Sequence, residues 1–306
     1  MHQALPHNQM SKKKNSQWLG YSVPFIAGFA LAGVFFLIIN PFSKTRLKPP
    51  LSVILSPHFD DAVLSLGGFM AETETPVVVA TFFADKPEQV LEASWDALSD
   101  FKNSSEAIKN RAEENARALK RTGAQAVNLH YLDLQYRYER DNATEEKNRV
   151  FLEKDIEAVI TTFSDTYNVA LYGPAEFGDL ITHPDHKLLH DAFSNVAQKN
   201  TSKSVEFFYY EDFPYVRTYS ASTNTSLKQF LTDKHPALHL EEKNLMLKDT
   251  SLNVKIDSIK DYVSQLRAFE KLGNNIPEDS LVFTSTRCSK TEPTLGACEV
   301  VYKLKR

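Results

Sequence analysis

Ser56-Pro57-His58-Phe59-Asp60-Asp61-Ala62-Val63-Leu64-Ser65-Leu66-Gly67-Gly68 follows directly on an apolar run, Leu51-Ser-Val-Ile-Leu-Ser56. Read together, the two give a strand, a polar loop and the first turns of a helix. The pattern recurs downstream. Val169-Ala-Leu-Tyr-Gly173 is a second apolar run, His183-Pro184-Asp185-His186 follows it, and Lys187–Phe193 continues as a helix. In open α/β sheets ligands bind outside the carboxyl ends of the strands, so both polar runs are expected to face one crevice. Neutral imidazole beside carboxylate suits Zn²⁺ held by three protein ligands with a fourth position open. Each run alone has a plainer reading. Asp60-Asp61 could cap a helix and complement its dipole, and His183 and His186 could be first-turn polar residues around Pro184 at N1. The pairing of the two runs favours the metal.

The rest of the chain is read outward from these junctions. Val77–Phe83 is β-branched and aromatic, and Val127–Leu132 and Val205–Tyr210 are further expected strands. Ser105–Thr122 carries Ala107, Ile108, Ala112, Asn115, Ala116 and Leu119 along one side and stops before Gly123, as a helix would. Arg149–Phe163 and Asp257–Leu272 also keep a helical period. The alternation predicts an α/β fold: a Rossmann-like, mostly parallel sheet with helices on both faces. Leu281–Arg287 and Glu299–Leu304 are expected to pair antiparallel at its edge. No Gly-x-Gly-x-x-Gly follows the first strand, so a dinucleotide has no cradle. The polar stretches 85–104 and 133–147 are candidate active-site loops.

The two motifs, in this order and spacing, resemble the PIG-L/LmbE-like family of zinc-dependent de-N-acetylases. Weaker echoes lie in Arg111-Ala-Glu-Glu114 and Tyr209-Tyr-Glu-Asp-Phe-Pro-Tyr215. One departure stands out, because the family usually has Pro where this chain has Phe59. Proline would fix φ ahead of the two aspartates, so the loop loses that restraint while the ligand types are untouched. The resemblance implies one Zn²⁺ per chain held by His58, Asp61 and His186. It also implies Asp60 as general base, His183 as general acid or oxyanion stabiliser, and Arg111 near the substrate.

The chemistry of the residues agrees. His58 and Asp61 lie three apart at a helix entry and can point at one ion, and His186 supplies the third ligand from the second motif. Asp60 projects differently from Asp61 and is free to take a proton. Asp185 is a candidate to orient one of the histidines. Arg111 has an ordinary alternative as a surface pair with Glu114. Glu211-Asp212 either reach the crevice or end a strand as solvated acids. His190 shares a helix face with His186, but three ligands already exist without it.

Gln17–Ser43 holds no charged residue, and its core, Trp18–Ile39, runs for 22 residues. About 20 suffice to span the hydrocarbon, and Trp18 and Tyr21 sit where an interfacial aromatic belt belongs. The run exceeds a signal peptide's apolar region and no Ala-x-Ala site follows. The expected organisation is a tail (1–16), a transmembrane anchor (17–43), a proline-rich linker (44–50) and a catalytic domain (51–306). Lys12, Lys13 and Lys14 before the span match Lys44, Arg46 and Lys48 after it, so charge leaves orientation open. A Cys288–Cys298 bridge, possible only in an oxidising compartment, points to a domain outside the cytoplasm; reduced thiols in a cytosolic domain are the alternative.

Composition is that of a globular protein, with 42% hydrophobic and 24% charged residues. The net charge of −4 gives no basic footprint and points away from nucleic acid. The reading is therefore a membrane-anchored zinc hydrolase removing an acyl group, acetyl above all, from an amino sugar or glycoconjugate. The partners it implies are that substrate and a lipid bilayer. The rivals are an amidase or esterase on another acyl compound, and a membrane-tethered carbohydrate-binding protein without catalysis.

Overall fold

The computed structural model describes residues 48–137, 142–175, 183–215, 227–236, 238–272 and 297–305. The chain divides into two compact units, Met1–Leu47 and Lys48–Arg306. The 17–43 span, the Leu281–Arg287 strand and Cys288 lie outside the described residues. Among those described, no helix is long and apolar enough to cross a membrane.

In chain order the elements are β1 (Pro50–Ser56), α1 (Asp61–Glu72), β2 (Val77–Thr81), α2 (Ser94–Leu98), α3 (Ser104–Thr122) and β3 (Gln125–Asn128). They continue with α4 (Asn142–Ser164), β4 (Asn168–Ala175), α5 (Pro184–Lys199) and β5 (Val205–Glu211). The last are α6 (Leu227–Lys234), β6 (His239–Met246), α7 (Asp249–Lys260), α8 (Val263–Lys271) and β7 (Cys298–Lys305). The seven strands form one mixed sheet in the order β3-β2-β1-β4-β5-β7-β6. β1 to β5 pair in parallel, whereas β7 runs antiparallel to both β5 and β6. Helices cover both faces: α1, α3 and α7 pack together in one layer, and α4 packs on α5 in the other.

β1 is the pivot of this sheet. It lies between β2 and β4, with Ile54 level with Val79 on one side and Tyr172 on the other. Chain order reverses at the β1–β4 boundary, and the carboxyl ends of two such strands open a crevice. One motif follows β1, and the other lies between β4 and α5.

Three expectations are corrected. β7 pairs with β6, from Met246 opposite Cys298 to His239 opposite Lys305. β6 is the edge strand, mostly half-buried or exposed, so its sequence lacks a strong apolar alternation. The expected helix over 257–272 is two helices, broken at Asp261-Tyr262. The second and third strands are shorter than read, because Phe83 and His130 meet only in an isolated bridge beyond them. Gly123 ends α3 in the left-handed conformation (φ 77°), which glycine adopts without steric cost.

α1 departs from helical geometry at Leu66 (φ −126°, ψ 20°). The break leaves backbone groups in need of partners, and a buried ion pair supplies them. Glu299 accepts from the Gly68 and Phe69 amides (2.9 and 2.6 Å). Lys255 pairs with Glu299 at 2.6 Å. A Cβ on Gly68 would meet the Leu247 side chain at 2.3 Å, so any larger residue there requires that leucine to move. Strand β7 is thereby tied to the helix whose first residue is Asp61.

Candidate metal centre

The loop after β1 is held from several sides. The Ser56 hydroxyl donates to the His58 carbonyl (2.6 Å) and accepts from the Ala62 amide (3.0 Å). The Asp61 carboxylate accepts from the His58 amide at 2.7 Å. The Tyr262 hydroxyl, placed by the break between α7 and α8, donates to the Phe59 carbonyl at 3.1 Å. Phe59 itself is buried against Ala84, Ile108 and Tyr136. Packing and hydrogen bonds restrain the backbone where a proline ring would otherwise do so.

Three atoms converge at the mouth of the crevice. His58 Nδ1 lies 3.2 Å from His186 Nε2 and 3.3 Å from Asp61 Oδ2, and the latter two atoms are 3.2 Å apart. A tetrahedral ion with bonds of about 2.0–2.1 Å separates its ligands by about 3.3–3.4 Å, so the triangle has the size of one tetrahedral face. Two imidazole lone pairs and a carboxylate oxygen at this spacing repel unless positive charge lies among them. The residues fit a divalent cation.

The far side of each imidazole is backed by a carboxylate. His58 Nε2 donates to Asp185 Oδ2 (3.0 Å), and His186 Nδ1 donates to Asp212 Oδ2 (2.5 Å). These hydrogen bonds turn the opposite nitrogen, with its lone pair, toward the triangle. Burial opposes a proton on His58, but Asp133, Asp185 and Asp61 outweigh it and raise the group to about 10. His186 is likewise raised against burial by Asp212 and Asp61. Asp61 is held well below the usual carboxylate range, because His186 and His58 outweigh its burial. The cluster calls for positive charge.

Asp60 is the last residue before α1, yet its side chain caps nothing. It is buried, and burial together with Asp61 raises its affinity for a proton against the opposing charge of Arg111. Arg111 reaches Asp60 (3.4 Å) and Asp133 (3.2 Å) from inside the protein. The surface pair with Glu114 is not made; Glu114 instead accepts from the Ser264 amide and hydroxyl (2.9 and 2.6 Å). His183 is the N-cap of α5, its Nδ1 accepting from the Asp185 amide at 3.3 Å. Its ring stands edge-on to His58, centroids 4.9 Å apart. Burial and the neighbouring His58 lower it to about 4, so it is neutral at pH 7, with the remaining ring hydrogen on Nε2.

All seven residues singled out from the sequence thus gather in one place. His190 does not join them, since its Nδ1 donates to the Pro174 carbonyl (2.8 Å) and its Nε2 meets His235 (3.1 Å). Three residues, Asp133, Arg137 and Tyr215, were not singled out, and a fourth, Asp212, was left open. Asp133 and Arg137 lie in the polar stretch marked as a candidate loop; Arg137 is ion-paired with Asp185 at 2.5 Å. Asp212 was left between two readings, and its burial settles that it is not a solvated strand end. Tyr215 packs edge-on against His186, centroids 4.8 Å apart, and Asp61, Asp212, Asp60 and Asp133 add to burial in holding its phenol above its ordinary value.

An α/β sheet with a His/Asp donor set at its topological switch point has the side chains to hold a metal ion. Residues 53–197 match the family described as PIG-L, GlcNAc-PI de-N-acetylase. Among solved structures it resembles a deacetylase of teicoplanin biosynthesis in complex with a ligand, at 22% identity and a TM-score of 0.66 over 84% of this chain and 98% of that one. A zinc-inhibited form of teicoplanin deacetylase matches at 22% identity, 84% and 98% coverage and a TM-score of 0.67. The deacetylase of A40926 pseudoaglycone matches at 23% identity, 85% and 98% coverage and 0.63. No curated protein matches.

Proposed function

We propose that this chain is a zinc-dependent hydrolase that removes an N-acetyl group from an amino sugar or an N-acetylglucosamine conjugate. The observation that carries the reading is the triangle of His58, Asp61 and His186, with a carboxylate behind each imidazole. A zinc ion there would polarise the acyl carbonyl and make water acidic enough to lose a proton near neutral pH. The remaining steps fall to the chain's own groups. Asp60, uncapped and with a raised proton affinity, receives the proton of the attacking water. Arg111 fixes the orientation of that carboxylate, and its burial places it behind Asp60 rather than at the surface. His183, neutral and carrying its hydrogen on Nε2, suits donation to the oxygen that gains charge as the amide carbon becomes tetrahedral.

A binding protein needs no base, and the position of Asp60 speaks against a silent site. Zinc-loaded protein should release acetate from an N-acetylglucosamine conjugate, and Asp60→Asn should retain zinc while kcat falls about 10²-fold or more. Zinc loss from Asp60→Asn, with Asp61→Asn retaining it, would reverse the two roles.

Membrane attachment belongs to the same proposal and rests on the uncharged 17–43 span. The full chain should stay in the membrane fraction after carbonate washing. Cys298, buried at the start of β7, is disulfide-bonded, which supports a domain outside the cytoplasm. Free thiols labelled only after cells are permeabilised would place the domain inside.

A further inference from the structure

We infer that Tyr215 is a second catalytic hydrogen-bond donor, placed to meet the carbonyl oxygen of the scissile amide; the inference rests on the deacetylase reading above. Tyr215 lies just beyond β5. Its ring meets the His186 imidazole edge-on at 4.8 Å and 67°. It is half-buried. None of the described side chains hydrogen-bonds its hydroxyl. The other buried tyrosines here are engaged: Tyr210 with the Leu55 carbonyl, Tyr136 with Asp96, Tyr262 with Phe59 and Tyr209 with Ser194.

A phenol at this place has one use for its hydrogen. Its ring lies against the ligand imidazole, and the hydroxyl hydrogen is left for a bound ligand. The carbonyl oxygen of an amide drawn to the triangle gains negative charge during attack. Donors fixed beforehand at that point stabilise the transition state more than the ground state. His183 supplies one donor from the α5 side, and Tyr215 supplies the other from the β5 side. No bond is made or broken at the phenol.

The test compares Tyr215→Phe with wild type in the full-length, zinc-loaded protein. Phenylalanine keeps the ring against His186, so zinc content and thermal stability should not change. The expected result is a fall in kcat for acetate release of about 10²-fold or more with KM nearly constant. In parallel, acetohydroxamate, whose carbonyl oxygen mimics the acetyl group at the metal, should bind Tyr215→Phe about tenfold more weakly by calorimetry. Unchanged hydroxamate affinity would overturn the inference, as would an unchanged kcat. If wild type releases no acetate from any N-acetyl amino sugar, the substrate reading fails. The hydroxamate measurement still decides Tyr215.

Discussion

The two imidazoles of the metal centre are oriented in the same way and held very differently. Asp185, behind His58, accepts on Oδ2 from His58 at 3.0 Å and from the Leu134 amide at 2.9 Å, and its Oδ1 is ion-paired with the Arg137 guanidinium at 2.5 Å. Burial opposes its ionisation, but the His58 hydrogen bond and the charges of His58 and Arg137 hold it down to about 2. Asp212, behind His186, has its Oδ2 on the imidazole at 2.5 Å, and its buried Oδ1 has neither a hydrogen bond nor an ion pair among the described residues. Burial pushes Asp212 up to about 6, although His186 pulls the other way. One arm is a fixed anion locked into a loop; the other is a lightly supported carboxylate in the core. A metal at the triangle would be held rigidly through the His58 arm and tuned through the His186 arm.

The largest expected effect comes from the residue both arms share. Asp61→Ala should empty the site, with zinc content falling from about one per chain to none. Next come the supporting carboxylates, whose loss typically lowers metal affinity about 10–100-fold. Asp185→Asn should fall near the top of that range, because it also removes the charge paired with Arg137 and turns an amide NH2 toward either Arg137 or His58. Asp212→Asn should fall near the bottom, since the amide oxygen can still accept from His186. Equal losses in competition titrations would erase the distinction between the arms.

Acid stability of the metal-free protein sharpens the contrast, because the two groups carry opposite signs. The folded value of Asp185 lies below the ordinary value of about 3.9, so its contribution is present above that pH and lost as pH falls toward 2. That of Asp212 lies above, so its ionisation weakens the fold as pH rises from about 4 toward 6. Denaturant titrations across this range should show Asp185→Asn flattening the lower slope and Asp212→Asn the upper one. The smallest effect expected is that of Arg137→Gln. It should lower zinc affinity only several-fold, less than the substitution of Asp185 behind which it stands.

The sequence made the first arm legible and half hid the second. His58, Asp60, Asp61, His183, Asp185 and His186 lie within short runs at strand ends, where local order predicts shared space. Arg111 sits a helix away, and only the fold shows that its guanidinium turns inward to Asp60 and Asp133. Asp212 and Tyr215 come to the site because β5 lies beside β4, a tertiary fact that no local spacing encodes. β1, β2, β4 and β5 were readable from buried apolar runs, whereas β3 (Gln125–Asn128) is largely exposed and was read two residues too far along the chain. β6 was not, because an edge strand such as His239–Met246 keeps its polar residues in water. The break at Asp261-Tyr262 was also hidden: both flanking helices keep the helical period, and the kink's purpose lies across the core at the Phe59 carbonyl.

The central claim is that donors from two adjacent strand ends make one metal centre. Its most direct test is the zinc content and zinc-edge X-ray absorption of the detergent-solubilised full-length protein. About one zinc per chain is expected, with nitrogen and oxygen neighbours at about 2.0–2.1 Å and an imidazole scattering pattern. That signal should vanish in a folded variant lacking His58, Asp61 and His186. Stoichiometric zinc in that triple variant, with the same neighbours, would contradict the account.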